Sequence, residues 1–186
     1  MRIYVALGIA AIITLLIVVC IVRIYNKLVK GRNRVNTQWA QIDVQLMRRA
    51  DLIPNLVETV KGYVSHEQEV FEKIATARNA LSSAPSPGQA ITANDHLSGQ
   101  LVQLFAVAEA YPELKADRSF IALQGTLKET EDKIAYARQF YNDAVLKYKD
   151  AIHQFPSVII AKLFNFKDES YYSISEDNRS NIKINY

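Results

Sequence analysis

Residues 3–22, IYVALGIAAIITLLIVVCIV, hold twenty consecutive positions without a charge. As an α-helix this stretch is about 30 Å long, the thickness of a bilayer's hydrocarbon core. A helix satisfies its backbone polar groups internally, which lipid requires of any spanning segment. The stretch therefore predicts a transmembrane anchor over residues 1–24. A cleaved secretory signal has a shorter apolar region followed by small residues at the cut, and this sequence has neither. Cys20 follows Val19, which is too large for a lipidated-cysteine site. It reads as a small apolar residue in lipid, and as the sole cysteine it excludes an internal disulfide.

Charge sets the expected orientation. Between residues 23 and 50 there are seven Lys and Arg against one Asp, and the remainder of the chain beyond them is acidic. Arg23, Lys27, Lys30, Arg32 and Arg34 lie next to the span, whereas only Arg2 precedes it. The positive-inside bias predicts a single pass through the cytoplasmic membrane, with the N-terminus outside and the C-terminal part in the cytoplasm. A basic block beside a membrane segment suits anionic lipid headgroups. A nucleic-acid binder would carry its basic face on the folded domain, so no nucleic-acid partner is expected.

Beyond the span the pattern is helical. Leu28, Val35 and Ile42 recur at seven, and Trp39, Leu46 and Ile53 form a second row at the same interval. Pro54 disfavours helix at Ile53, and Asp51 is a capable N-cap ahead of it. This predicts an end or sharp kink near residues 49–53, with a second helix starting at once and carrying Leu56, Val57, Val60, Val64, Phe71, Ile74 and Leu81 on one face. On that reading Pro54→Ala lets the two helices merge. SSAPSPGQAITANDH, residues 82–96, reads as a loop. A third helix capped by Asn94 or Asp95 follows and stops at Tyr111-Pro112. Asp117 then caps a fourth, on which Phe120, Leu127, Ile134, Tyr141, Tyr148 and Phe155 recur at seven until Pro156. Large residues alternating with Leu123, Thr130, Ala137, Ala144 and Ala151 suit knobs-into-holes packing.

The expected fold is all-α: an N-terminal transmembrane helix followed by an antiparallel bundle of about four long helices, residues 25–166. A polar, irregular tail follows, residues 167–186, whose Ile182, Ile184 and Tyr186 alternate as a short strand would.

The sequence lacks the usual catalytic signatures. It contains no phosphate-binding glycine loop, no nucleophile elbow and no H-E-x-x-H, since His66-Glu67 is followed by Gln68, Glu69 and Val70. Asp150-x-x-His153 stands alone where a di-metal bundle needs paired Glu-x-x-His. Neither cofactor nor metal is expected, and no enzymatic activity. Polar residues beside the apolar rows, namely Asp43, Glu67, Glu109 and Glu131, need partners if buried, and Arg48, Arg49, Arg78 and Arg138 could supply them.

Three stretches, YNKLVKGRNRVNTQWAQIDVQLMRRADLIPNLVETVKGYVSHE, LFAVAEAYPELKADRSFIALQGTLKETEDKIAYARQFYNDAV and FPSVIIAKLFNFK, resemble the LemA family of bacterial membrane proteins. The resemblance covers residues 25–167. Its motif and structural positions here are Trp39, Ile42, Asp43, Arg49, Asp51, Pro54, Asn55, Glu109, Tyr111 and Pro112. It implies a membrane anchor, a helical bundle and no enzymatic activity. The resemblance also brings the family's associations: members linked to membrane stress functions and encoded near membrane proteases, and a relative that acts in magnetosome membranes. The chain departs from the family pattern at Asn165, where glycine is common, and in its last fifteen residues.

Together these readings predict a non-enzymatic scaffold or adaptor held at the membrane lipids, binding another membrane protein or a second copy of itself. The alternative is a ligand-binding or sensory bundle, with a polar pocket around Asp43, Glu67 and Glu109.

Overall fold

A computed structural model of the chain describes residues 1–64 and 67–173. Among them are six helices and no strand: α1 (Arg2–Lys61), α2 (Gln68–Ser82), α3 (Pro87–Glu109), α4 (Pro112–Ala116), α5 (Arg118–His153) and α6 (Ser157–Leu163). The fold is an all-α helical bundle with one long apolar N-terminal helix. The strand expected of Ile182, Ile184 and Tyr186 lies outside the described residues.

Two compact units can be distinguished, and α1 and α5 contribute residues to both. The first comprises Met1–Gln38 and Tyr141–Tyr171. Leu28 and Val35 of α1, Tyr141, Ala144, Val145, Tyr148 and Ile152 of α5, and Ile160 and Ala161 of α6 are its buried apolar residues. Gly31 permits a close approach, because a Cβ there would stand 3.2 Å from Cδ2 of Tyr148. Tyr141 and Tyr148 occupy core positions as their spacing predicts, and their hydroxyls are satisfied. Tyr148 Oη donates to the Lys167 carbonyl at 3.1 Å and Tyr141 Oη to that of Ser170 at 2.9 Å. Tyrosine rather than leucine at these positions therefore ties the following segment to α5.

α6 ends in a Schellman cap. Asn165 has φ 54°, Phe166 N–H donates to the Ala161 carbonyl at 2.9 Å, and Asn165 N–H donates to that of Lys162 at 3.3 Å. Asparagine is the non-glycine residue that visits this conformation most readily, so it can close the helix here without glycine. Phe155 departs from expectation. It continues the heptad in sequence, but α5 ends at His153 and Phe155 is 81% exposed.

The second unit comprises Trp39–Phe140 with the described residues from Tyr172 onward. Ile42, Leu46, Ile53, Leu56 and Val60 are buried along α1, and α2 packs against α3 through Ile74, Leu81, Leu97 and Leu104, all fully buried. The boundary expected at residues 49–53 is absent. α1 runs through Pro54 to Lys61, so Asp51 caps nothing and lies exposed inside the helix. The apolar stripe keeps its register across the proline, and its burial outweighs the local penalty. Pro54 leaves the Ala50 carbonyl without its helical donor. Arg78 Nε, reaching over from α2, donates to that carbonyl at 3.4 Å. The chain turns at Gly62 instead, where helix propensity is low.

The expected loop 82–96 is shorter than its composition suggests. α3 already begins at Pro87, with Ser86 as N-cap and proline in the first turn. Ser86-Pro87-Gly88-Gln89 has the spacing of a capping box but only its first bond: Gln89 N–H donates to Ser86 Oγ at 3.5 Å, while Ser86 Oγ itself donates to Gln89 Oε1 at 2.8 Å. Asn94 and Asp95 therefore lie inside α3 rather than at its start. Asp117 does cap α5, accepting from Phe120 N–H at 2.8 Å.

Candidate functional site

α3 has its own heptad stripe: Ala90, Asn94, Leu97, Leu101, Leu104 and Ala108 are all buried. Asn94 is the polar member, and a single polar residue on such a stripe fixes register by demanding a partner. The partner is Arg49 of α1, whose Nη1 donates to Asn94 Oδ1 at 2.7 Å. Arg49 is only 6% exposed. Its Nη1 also lies 2.8 Å from Oε2 of Glu131 on α5, off the line of the N–H, so this contact is an ion pair without a linear hydrogen bond. Asn94 Nδ2 donates onward to Tyr172 Oη at 3.4 Å. The guanidinium of Arg138 stacks 4.3 Å from the centre of the Tyr172 ring.

The electrostatics follow from burial. Desolvation pulls the Arg49 guanidinium down from its ordinary value, and Glu131 counters it. Arg49 remains cationic, as arginine does in proteins. Burial likewise pushes the Tyr172 phenol up and keeps it neutral. Two donors are left over among the described residues: Arg49 Nε and Arg138 Nε are each buried without a hydrogen-bond partner.

Arg49 also forms part of a groove between α3 and α5, with a volume of about 690 Å³. Leu101, Val102, Phe105, Ile121 and Leu127 give it apolar walls, and Lys128 and Glu131 give it a charged end. Chemically it offers an apolar slot beside a cation already half-neutralised by Glu131.

The other residues singled out in the sequence are dispersed. Trp39 and Asp43 are half-buried on α1, Ile42 is in the core, and Pro54 and Asn55 are exposed. Asn55 offers its carbonyl to Thr59 Oγ1 at 2.8 Å. Glu109 is the exposed last residue of α3, while Tyr111 and Pro112 open α4. Asp43, Glu67 and Glu109 take no part in the groove. Asn94 was legible as a core residue from its spacing to Leu97, Leu101 and Leu104, but its capping propensity obscured that. Tyr172 had no periodic signal, because its segment is irregular.

The second candidate is the N-terminal end of α1. Its apolar window is long enough to cross a membrane and none of it is buried. Arg23, Lys27, Lys30, Arg32 and Arg34 follow it, all exposed.

Comparison with known families matches residues 38–186 to the LemA family. The chain belongs to the LemA family. Protein LemA of Metamycoplasma hominis is 24% identical over 161 residues, covering 84% of this chain and 72% of that protein. Magnetosome protein MamQ 2 of Paramagnetospirillum magneticum is 24% identical over 174 residues, and MamQ of Magnetospirillum gryphiswaldense 22%. In both cases 80% of this chain is matched to 64% of the relative, just under two thirds of its length. The Arg49–Asn94–Glu131–Tyr172 cluster lies within the LemA match, whereas the apolar end of α1 precedes it. The chain is a LemA-type, membrane-associated protein.

Proposed function

We propose that this LemA-family chain is a single-pass, membrane-anchored scaffold without enzymatic activity. In this reading residues 3–22 cross the cytoplasmic membrane, and Arg23, Lys27, Lys30, Arg32 and Arg34 hold the chain at anionic headgroups. The bundle stands in the cytoplasm and binds another membrane protein or a second copy of itself. Neither cofactor nor nucleic acid takes part. The observation that carries the reading is the wholly unburied apolar window followed at once by exposed cations. The relatives named as magnetosome proteins are consistent with a membrane setting.

The test is crosslinking in cells from photoreactive residues at exposed positions such as Val102 and Tyr136, read by mass spectrometry. A reproducible adduct to one membrane protein, or to a second copy, supports the scaffold. Diffuse adducts from every position would count against it.

A second reading has one specific observation behind it: Arg49, whose buried Nε lacks a partner, is among the residues that line a groove with apolar walls. A bundle that senses an amphipathic anion would use such a site. Thermal shift of the full chain in detergent, across a panel of fatty acids and apolar carboxylates, separates the two. A saturable rise that Leu101→Trp abolishes favours the sensor, and a flat response favours the scaffold.

A further inference from the structure

The first unit exposes a second apolar surface that the anchor does not use. In α6, Ser157, Ile160 and Ala161 are buried, while Ile159 and Leu163 are 57% and 72% exposed. Ile159 and Leu163 are one helical turn apart and share a stripe. Phe155, just ahead of the helix, and Phe164, just after it, are 81% and 50% exposed. Lys162 and Lys167 flank the group, both exposed.

The position of this surface relative to the anchor identifies its occupant. The Phe164 ring packs edge-on against Tyr25, with centroids 4.9 Å apart. Tyr25 also meets Phe166 at 5.7 Å, and the Arg32 guanidinium lies 5.4 Å from the Phe166 ring. Tyr25 is three residues beyond Val22, the last residue of the apolar stretch. That is a rise of about 4.5 Å. The polar zone of each leaflet is about 5–8 Å thick, so Tyr25 sits in the belt where Tyr and Trp concentrate. Phe164, with its ring centre 4.9 Å from that of Tyr25, lies beside the same belt. A helix with an aliphatic stripe, aromatic flanks and lysines at this level has the composition of an interfacial segment.

We infer that α6 is a second membrane contact: Ile159, Leu163 and Phe164 enter the headgroup–acyl boundary of the leaflet from which α1 emerges. This inference rests on the anchor reading above. α1 would supply the span and α6 a lateral footing beside it, with Lys162 and Lys167 toward anionic headgroups. The Schellman cap at Asn165 turns the chain back so that Phe166 reaches Arg32.

The test uses the full chain in phosphatidylcholine–phosphatidylglycerol vesicles, in a Cys20→Ser background, with nitroxide labels at single cysteines. Leu15→Cys reports the span, Leu163→Cys and Ile159→Cys report α6, and Asn36→Cys, an exposed α1 site farther from the span, reports water. Accessibility to oxygen and to a polar nickel chelate gives depth. The inference expects deep burial at residue 15, interfacial depth at 159 and 163 with several-fold lower nickel access than at 36, and full nickel access at 36. Residues 159 and 163 as open to nickel as 36, with 15 still deep, would overturn the inference and leave the anchor standing. Labels at 159 and 163 shielded from both reagents would mean that protein covers α6 and would also overturn it. A water-exposed residue 15 would overturn both the inference and the anchor.

Discussion

Arg49 is the residue whose environment most constrains its neighbours. A buried guanidinium is tolerable only when its donors are occupied, and here Asn94 and Glu131 share one nitrogen while Nε has no partner. Removing either partner exposes the cost. Asn94→Ala leaves Arg49 short of its best acceptor and should destabilise the protein by about 1–3 kcal/mol. Glu131→Gln keeps the shape but removes the countercharge, and should cost less, because Glu131 is itself 46% exposed. Replacing Arg49 by Met removes the charge but leaves Asn94 Oδ1 buried without its donor and Glu131 without its countercharge, so it should cost at least as much as Asn94→Ala. Urea unfolding of the three variants checks this order, and Arg49→Met as the mildest of them would contradict it. Asn165 makes a second, independent case. Its φ of 54° suits glycine better, so Asn165→Gly should raise the thermal midpoint and Asn165→Val should lower it. Equal midpoints for the two would mean that the cap adds nothing.

At the level of single helices, Pro54 is the instructive element. A proline inside a helix costs about 3 kcal/mol relative to alanine, and α1 accommodates it by burying Ile53 before it and Leu56 after it and lending the Ala50 carbonyl a donor from Arg78. Pro54→Ala should therefore stabilise an already continuous helix rather than fuse two. Arg78→Met should destabilise the parent more than it destabilises the Pro54→Ala variant, since alanine restores the missing N–H. A double-mutant cycle measures that coupling, and strict additivity would remove Arg78 from the account. Asp117 carries a pH signature. The Phe120 N–H, ahead of the Tyr63 hydroxyl, holds its carboxyl below the ordinary 3.8. A depressed folded value means stabilisation that is fully present above 3.8 and lost as pH falls through the folded value. The gap in thermal midpoint between the parent and Asp117→Ala should narrow over that acid range, and a constant gap would mean a purely steric cap. Burial was legible here where a period existed: the stripes of α1 and α5, and the run from Leu56 to Leu81, turn inward apart from Phe155, with Trp39 and Val57 only half-buried. Boundaries were less legible, because Pro54 and the Ser86-Pro87-Gly88 run carry turn propensities that packing in one case and the Ser86 N-cap in the other convert to helix.

For the molecule as a whole, the charge pattern and the apolar segment say more about function than any constellation of polar side chains does. The candidate polar cluster could not be assembled from sequence, because Arg49, Asn94, Glu131 and Tyr172 come from four segments and only tertiary packing joins them. The anchor needed no packing to be read, since lipid selects on length and composition alone. The central claim is that the chain spans the membrane once with its bundle in the cytoplasm. It is tested most directly by labelling a single cysteine at Gln103, in a Cys20→Ser background, with a membrane-impermeant maleimide before and after permeabilisation of the cells. Gln103 is exposed on α3, so accessibility depends on the membrane and not on the fold. The account predicts no labelling in intact cells, full labelling after permeabilisation, and retention of the protein in the membrane fraction after an alkaline carbonate wash. Labelling in intact cells would reverse the orientation, and release by carbonate would contradict the anchor itself.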